Sequence, residues 1–337
     1  MRFSIVIPVY NVETYIPYCF ASVIKQDFTD FEVVLVNDGS TDGSANICRH
    51  FCESSGLRVT YVEQENKGLL AARRAGFAAS QGDYLISLDS DDALRADALK
   101  VINQSISETF ADVIMFGYSR SPHFDEVFTA PLKPNCLYGP SDFRRIFCSD
   151  NSMNAIWLKA VARKCMAPDC RFEKYGRLNM GEDAIQSALI FDRAKTVYSI
   201  SEALYFYRPN EKSISSIVDA SYLEDMSKVH ACLTEYAAKW DKMEEGAPCM
   251  AALQPRCAEE SCHFVLHHLS NCDFRQAQVF LERVSSSGCI EYCRRNPDSI
   301  LALPLHTRII SHLIIKRQFR AVWAATKLLA FAIKGRR

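Results

Sequence analysis

Two patterns of apolar residues alternate over the first 120 positions of the chain. Short apolar runs rich in β-branched residues predict strands at residues 3–9, 31–36, 59–63, 84–88 and 112–118. Helical spacing predicts helices between them, at about residues 15–25, 44–54, 69–79 and 96–109. Strands that are apolar on both faces and alternate with helices predict a doubly wound α/β domain, with a mostly parallel sheet and helices on both faces.

The pattern changes after residue 150. A loop-rich region leads to an apolar helix after Gly181 and to a strand-like run at 197–208, and from about residue 221 the chain is helical almost to its end. A chain of 337 residues also exceeds the usual size of one domain. The sequence therefore predicts an α/β domain over residues 1–216, divided at about residue 120, and a helical domain over residues 217–337.

Composition narrows the classes of protein that fit. Hydrophobic residues make up 48% of the chain, which is enough for a large core, and the net charge of -1 gives no general attraction to nucleic acid. The 14 cysteines are scattered and match no disulfide scaffold. We find no signal-like segment and no apolar run of the roughly 18 to 20 residues that a membrane span needs. The expected location is therefore the cytoplasm.

Polar or conformationally special residues follow each of the first four predicted strands. In chain order they are Pro8, Tyr10 and Asn11, then NDGSTD at 37–42, ENKG at 65–68 and DSDD at 89–92. Ligands of open α/β sheets bind outside the carboxyl ends of the strands. We therefore expect these four segments to converge on one ligand-binding edge.

The acidic cluster after the fourth strand, Asp89, Asp91 and Asp92, has two interpretations. Asp92 could cap the helical run that starts near Arg95. Because a cap needs only one carboxylate, the cluster also suits Mg²⁺ or Mn²⁺, which prefer oxygen ligands and often bridge carboxylates to substrate phosphates. Both interpretations stay open at this point.

The turn after the second strand carries a carboxylate, Asp38, at the strand tip. It could accept hydrogen bonds from a base or a ribose. The turn matches neither the GxxxxGK[ST] phosphate loop nor GxGxxG, which disfavours a P-loop NTPase or a dinucleotide-binding domain.

Several motifs together resemble one enzyme family. IVIPVYN at 5–11, VLVNDGSTDGS at 34–44, the run from Glu65 to Asp92 and GED at 181–183 are similar to family 2 glycosyltransferases, which have a GT-A fold. The resemblance is strong over residues 3–120 and patchier to about residue 216. It departs from the family at Leu70, where a serine is common, and at Arg74, where an asparagine is common.

The resemblance implies a nucleotide-diphosphate-sugar donor, with a UDP-sugar favoured, and a Mn²⁺ or Mg²⁺ ion. Asp91 would be the direct metal ligand, and Asp89 would lie nearer the ribose or bind the metal through water. The donor-binding residues that it implies are Pro8, Val9, Tyr10, Asn11, Asp38, Asn66, Arg73, Asp89, Ser90, Arg208 and Ser213. A surface loop with a solvated arginine is the alternative for Arg208 and Ser213.

The resemblance also implies that Asp183 is the general base of an inverting transfer and that Glu182 orients it or contacts the acceptor. The alternative is that both carboxylates only favour the first turn of a helix. A sugar nucleotidyltransferase and a catalytically inactive sugar-nucleotide-binding scaffold are the competing functions.

The segment from 299 to 337 has no acidic residue, and its cations alternate with apolar and aromatic side chains. It is either a basic amphipathic helix on the inner face of the cell membrane or a packed C-terminal helix. Membrane contact would suit an acceptor such as a glycan, a lipid-linked oligosaccharide or a cell-surface polymer. Trp157 is either a core residue or a platform for that acceptor.

Overall fold

A computed structural model describes residues 1–166, 174–209, 222–243, 248–270, 272–295, 297–301 and 303–334. The chain divides into two compact units. The first comprises Met1–Phe147 and Ser152–Asn210, and the second comprises Cys148–Asn151 and Glu211–Arg337. The predicted domain boundary at residues 216 and 217 lies outside the described residues.

The first unit contains the strands of the protein's sheet. They are β1 Phe3–Val9, β2 Phe31–Asp38, β3 Val59–Gln64, β4 Tyr84–Ser87, β5 Ala93–Leu94, β6 Val113–Ser119, β7 Leu137–Tyr138, β8 Lys159–Ala162 and β9 Val197–Phe206. The helices as far as residue 193 are α1 Ile16–Ile24, α2 Ser44–Ser54, α3 Leu69–Ala79, α4 Ala98–Thr109, α5 Pro140–Ser149 and α6 Glu182–Arg193. The predicted elements of the first 120 residues lie within two residues of these bounds.

The sheet is mixed, with the order β3-β2-β1-β4-β8-β6-β9-β5, and β7 pairs with β9. Strands β1 to β4 pair in parallel, so their carboxyl ends lie at one edge. Strand β8 lies antiparallel between β4 and β6, and β6 is parallel to β9. The predicted α/β fold is confirmed, whereas β8 falls in a region that the sequence predicted only as rich in loops.

The sheet is covered on both faces because its central strands are apolar throughout. Every residue of β1 and β2 is buried. One side packs Ile5 and Leu35 against α1, α2 and α4, and the other packs Val6 and Val34 against α3. Two-sided burial of this kind is what continuous apolar strands in a parallel sheet require.

Gly76 lets α3 approach the sheet closely. A Cβ at this position would lie 2.3 Å from Cγ1 of Val6 and 3.0 Å from Cγ2 of Val36. Both valines are fully buried and have little space to move. The absence of a side chain at Gly76 thus fixes the height of α3, and of the arginine it carries, above the sheet.

The second unit is helical in its described residues. Its helices are α7 Tyr222–Met243, α8 Cys249–Ser270, α9 Phe274–Ser285, α10 Gly288–Arg295, α11 Pro297–Leu301, α12 Leu305–Ile315 and α13 Phe319–Lys334. Asp273 caps α9 through a reciprocal capping box with Gln276. Within the described part of the chain, no helix is both long and apolar enough to cross a bilayer.

The basic segment forms more than one helix. Val322 of α13 is fully buried, and Nε1 of Trp323 donates a hydrogen bond to the carbonyl of Cys272 at 3.2 Å. One face of α13 therefore packs inside the second unit, as the packed-helix interpretation expects. Leu328 on the same helix is exposed.

Replacing Gly76 with alanine should destabilise the protein, although alanine favours helices. The new methyl group would force α3 away from Val6, and overpacking of this kind costs about 1–3 kcal/mol. Urea denaturation measures the change. Gly139→Ala is the control, because a Cβ at Gly139 meets no atom within 4 Å. Equal midpoints for Gly76→Ala and the wild type would contradict the close packing.

Candidate functional site

The structure brings the predicted segments together at the carboxyl edge of β1 to β4. Asp38 is the last residue of β2, and Asp89 follows β4 closely. Arg73 reaches this edge from α3, and Glu182 and Asp183 reach it from the first turn of α6. Residues that are more than 100 positions apart in sequence thus share one site.

Arg73 is the centre of the site. Its guanidinium donates from Nη2 to Oδ1 of Asp89 at 2.8 Å and from Nη1 to Oδ1 of Asp183. Oε1 of Glu182 lies 3.7 Å from Nη1. The side chain is 1% exposed, and its Nε–H is buried without an acceptor in the described structure. One buried cation therefore holds carboxylates from two elements of the fold.

Burial and neighbouring charges shift the pKa values of the arginine and the carboxylates in this cluster. Burial alone would lower the pKa of Arg73, but the carboxylates of Asp183, Asp89 and Glu182 outweigh it and raise that pKa. Burial and the neighbouring Asp183 raise the pKa of Glu182 to about 7, and burial raises the pKa of Asp183. Raised carboxyl pKa values in a cleft are typical of functional sites.

Asp92 is not a helix cap. The following helix, α4, begins at Ala98 with Asp97 at the N-cap position. Asp92 instead accepts a hydrogen bond from the hydroxyl of Tyr205 at 2.7 Å and one from the backbone N–H of Arg208 at 2.8 Å. Burial and the carboxylates of Asp89 and Asp91 raise its pKa to about 8. Asp92 thus joins the acidic cluster to the end of β9.

Arg208 is held at the site and does not fit a solvated surface arginine. Its Nε donates to the carbonyl of Asp91 at 2.8 Å. Its guanidinium lies 5.2–5.6 Å from the ring centroids of Tyr15, Tyr18 and Phe206. Cation–π contacts of this kind favour one position of the charge. Ser213 lies outside the described residues.

The turn after β2 is fixed by its own hydrogen bonds. Asp38 accepts from the backbone N–H groups of Lys67 and Gly68, both at 2.9 Å, and from the side chain of Gln64 at 2.7 Å. Its carboxylate therefore holds the β3–α3 loop in place.

Other predicted donor-binding residues border this turn. Asn11 has a φ of 51°, and its side chain accepts from the backbone N–H of Thr41 at 2.8 Å. Pro8 and Val9 end β1, and Tyr10 beyond them is 47% exposed. Oδ1 of Asn66 is buried without a donor in the part of the chain that the structure describes. Of these residues, Tyr10 therefore offers an exposed ring at the edge of the sheet.

The sequence did not indicate Lys159, which belongs to β8. Its ammonium group is buried and donates to the carbonyls of Met153 and Ala155, at 2.8 Å and 2.6 Å, and to Oγ of Ser187 at 3.1 Å. Burial lowers its pKa to about 7, although the negative charge of Asp183 opposes this shift. Ser187 lies one turn after Asp183 on α6. A lysine in an apolar run gave no signal because burial of its charge depends on the tertiary fold.

The acidic cluster has the chemistry of a hard-cation site. Burial and the neighbouring Asp89 raise the pKa of Asp91, so a cation between the two would relieve their repulsion. Among the described residues, no group of three or more His, Cys, Asp or Glu side chains is arranged to hold a metal.

Comparison with known proteins assigns the first part of the chain to a family. The sequence profile of the family described as Glycosyl transferase family 2 matches residues 4–156, which include β1 to β4, α3 and the acidic cluster. The chain carries a family 2 glycosyltransferase domain. The resemblance read from its motifs is confirmed.

Curated proteins that are similar to this chain include bacterial glycosyltransferases. It is 29% identical over 221 residues to glycosyltransferase GlyA of Streptococcus pneumoniae, covering 64% of this chain and 32% of GlyA. It is 26% identical over 217 residues to the uncharacterized glycosyltransferase EpsJ of Bacillus subtilis, covering 64% and 63% of the two chains. The chain thus spans from about a third to under two thirds of the length of these relatives.

Solved structures share the fold. The crystal structure of Staphylococcus aureus TarS residues 1–349 in complex with UDP matches with a TM-score of 0.69 and 18% identity, covering 97% of this chain and 90% of that one. The complex of the same protein with UDP-GlcNAc matches with a TM-score of 0.66 and 20% identity, covering 97% and 91%. The family 2 domain therefore has the predicted GT-A type of α/β architecture.

Replacing Arg73 with methionine should cost about 3–5 kcal/mol of unfolding free energy near neutral pH, because buried carboxylates lose their cation. The pKa values of Glu182 and Asp183 are already raised in the folded domain and would rise further. Groups with raised carboxyl pKa values stabilise the fold at low pH and lose that contribution as pH rises. The deficit should therefore shrink between about pH 7.5 and about pH 5.

Urea denaturation at both pH values measures the Arg73 deficit. Arg49→Met is the matched control, because the ion pair of Arg49 with Glu63 and its hydrogen bond to Asn46 are both exposed. A deficit that is the same at both pH values would show that Arg73 does not compensate these carboxylates.

Lys159 should make stability depend on pH in a defined window. Its pKa is lowered from 10.5 to about 7 in the folded protein, so the unfolded chain binds the extra proton between these values. Stability of the wild type relative to Lys159→Met should rise with pH there, by at most about 1.4 kcal/mol per pH unit. Urea denaturation of both proteins over this range measures the slope, with the exposed substitution Lys100→Met as control. Parallel pH profiles would contradict a neutral Lys159.

Proposed function

We propose that the protein transfers a sugar, with inversion, from a nucleotide-diphosphate-sugar donor to a hydroxyl of a glycan, a lipid-linked oligosaccharide or a cell-surface polymer. The observation that carries the proposal is the position of Arg73. It joins Asp89 of the acidic cluster to Glu182 and Asp183 of α6. In this proposal Asp89 belongs to the part of the site that binds the leaving diphosphate, and Asp183 belongs to the part that binds the attacking hydroxyl. Arg73 holds the two carboxylates at a fixed separation.

The donor is a UDP-sugar in this proposal. TarS, which has the same fold, is known in complex with UDP and with UDP-GlcNAc. In this chain the nucleoside would lie against Pro8, Val9, Tyr10 and Asn11 and beside Asn66. Asp38 would act chiefly through the loop that it holds, because three donors already occupy its carboxylate.

Asp91 would hold Mn²⁺ or Mg²⁺, with Asp89 beside it and Ser90 buried between them. When bound, such an ion neutralises charge on a diphosphate leaving group. Arg208 supplies a positive charge of its own at the same place, since it is bonded to the carbonyl of Asp91. A planar guanidinium is well matched to phosphate oxygens.

Asp183 would be the general base. Arg73 holds its Oδ1, which leaves Oδ2 for the proton of the acceptor hydroxyl. Burial raises the pKa of Asp183, and a base whose pKa approaches the working pH removes a proton more effectively. Glu182 lies beside it and would contact the acceptor. Attack opposite the leaving group in one step inverts the anomeric carbon.

The acceptor class rests on relatives and on the basic segment. The chain is 35% identical over 117 residues to the poly(ribitol-phosphate) beta-N-acetylglucosaminyltransferase TarS of S. aureus, covering 34% of this chain and 20% of TarS. A cell-surface polymer is therefore the favoured acceptor. Transfer would take place in the cytoplasm, with peripheral membrane contact through the exposed cations and Leu328 of the segment from residue 299 onwards.

Calorimetric titration with UDP, with and without Mn²⁺, tests the proposal. We expect binding to the wild type to require the metal. Asp91→Ala should weaken metal-dependent binding by about tenfold or more, which is 1.4 kcal/mol. Asp183→Asn should keep the UDP affinity and lose sugar transfer by about 10²-fold or more.

Asp97→Ala is the matched control, because Asp97 is a carboxylate beyond the acidic cluster that makes no side-chain cap. Binding of UDP that is indifferent to Mn²⁺ and to Asp91 would refute the metal-dependent donor site. Sugar transfer retained by Asp183→Asn would remove the base.

A further inference from the structure

Five aromatic side chains form a continuous strip in the first unit, which we call the aromatic strip: Phe128, Tyr118, Trp157, Tyr207 and Tyr205. The ring of Trp157 is stacked on Tyr207 with centroids 5.3 Å apart and lies 4.7 Å from Tyr205. Tyr118 meets the edge of Trp157 at 5.3 Å and is stacked on Phe128 at 5.1 Å. Tyr118 belongs to β6 and Tyr205 to β9, and Tyr207 follows β9 directly. Trp157 lies in a 3₁₀ turn, and Phe128 pairs with Tyr118.

The inner end of the strip touches the acidic cluster. Tyr205 is fully buried, and its hydroxyl donates to Asp92 at 2.7 Å and accepts from the backbone N–H of Asp89 at 3.2 Å. The outer end is at the surface, where Phe128 is 38% exposed. The strip therefore runs from the proposed reaction site to solvent.

The middle of the strip is partly exposed. Tyr118, Trp157 and Tyr207 are only partly buried, in contrast to Tyr205. Within the described residues, the hydroxyls of Tyr118 and Tyr207 and the indole N–H of Trp157 form no hydrogen bond and are not enclosed. Buried aromatic side chains of a core normally satisfy such polar tips. These three present an aromatic face and a free polar group side by side.

Packing alone accounts for only part of the strip. Trp157, Tyr118 and Tyr207 lie against the main core of the first unit, so their inner faces stabilise the sheet. The core itself is mainly aliphatic along β1 and β2, where every residue is buried. Core packing requires neither partly exposed rings nor polar tips that reach the surface. A ligand with one apolar face and a rim of hydroxyls would use both.

We propose that the aromatic strip binds a pyranose ring of the acceptor, next to the sugar whose hydroxyl is attacked. The C–H face of a pyranose would stack on Trp157 and Tyr207, and its hydroxyls would bond to Tyr118, to Tyr207 and to the indole N–H. This inference rests on the proposed function and specifies its acceptor as a cyclic sugar. An acyclic polyol phosphate has no ring face to stack and would not occupy this site.

Saturation-transfer NMR on the whole chain tests the proposal without any donor. The probes are methyl β-glucopyranoside and methyl N-acetyl-β-glucosaminide, with ribitol 5-phosphate as the acyclic comparison. We expect signals from the ring-face protons of both pyranosides and none from ribitol 5-phosphate. Trp157→Leu and Phe128→Ala should each weaken pyranoside binding, by about fivefold or more for Trp157. Tyr207→Phe, which keeps the ring and removes the hydroxyl, should weaken it by about threefold.

Phe110→Ala is the matched control, because Phe110 is 81% exposed and lies outside the strip. Should Trp157→Leu fail to fold, Tyr207→Phe and Phe128→Ala decide the question. The proposal is overturned by wild-type protein that gives no pyranoside signal, by ribitol 5-phosphate binding equally well, or by unchanged affinity in the strip variants. Since these titrations contain no UDP or metal, a failed donor site and a failed strip give separate results.

Discussion

The arrangement of this site depends on one buried guanidinium, that of Arg73. Arg73 is almost completely buried, and without it the carboxylates of Asp89 and Asp183 would face each other with nothing between them. The free-energy cost of burying a guanidinium is offset only where several acceptors surround it. The sheet, α3 and α6 provide that arrangement, and Gly76 permits it by letting α3 lie close to β1 and β2. The chemistry therefore depends on the packing of one helix.

Different types of interaction hold different parts of the site. Asp38 and Asn11 accept hydrogen bonds that fix the backbone beyond β2 and β1, and ion pairs of Arg73 fix the centre. Aromatic rings lie around Arg208, and other rings form the strip around Trp157. Each kind of contact suits a different part of a glycosyl donor and acceptor.

Local signals predicted much of the fold and only some of the site. Apolar periodicity was sufficient for β1 to β4 and α1 to α4, because those elements are defined by short-range pattern and two-sided burial. It did not reveal β8, a short strand inserted between β4 and β6, nor the burial of Lys159 within it. Motifs indicated Asp89, Asp183 and Arg73, but not that Arg73 joins the other two. Such pairings arise from long-range packing, which no local pattern encodes.

Asp38 has a consequence for how variants of this protein are interpreted. Both of its oxygens accept hydrogen bonds, two of them from the backbone of the β3–α3 loop. An asparagine there would turn one acceptor into a donor facing an N–H group, so even this isosteric replacement would disorder the loop. Inactivity after substitution of Asp38 would then be a conformational phenotype. In a mutational survey the residue would count as a structural position, although it borders the proposed nucleotide site.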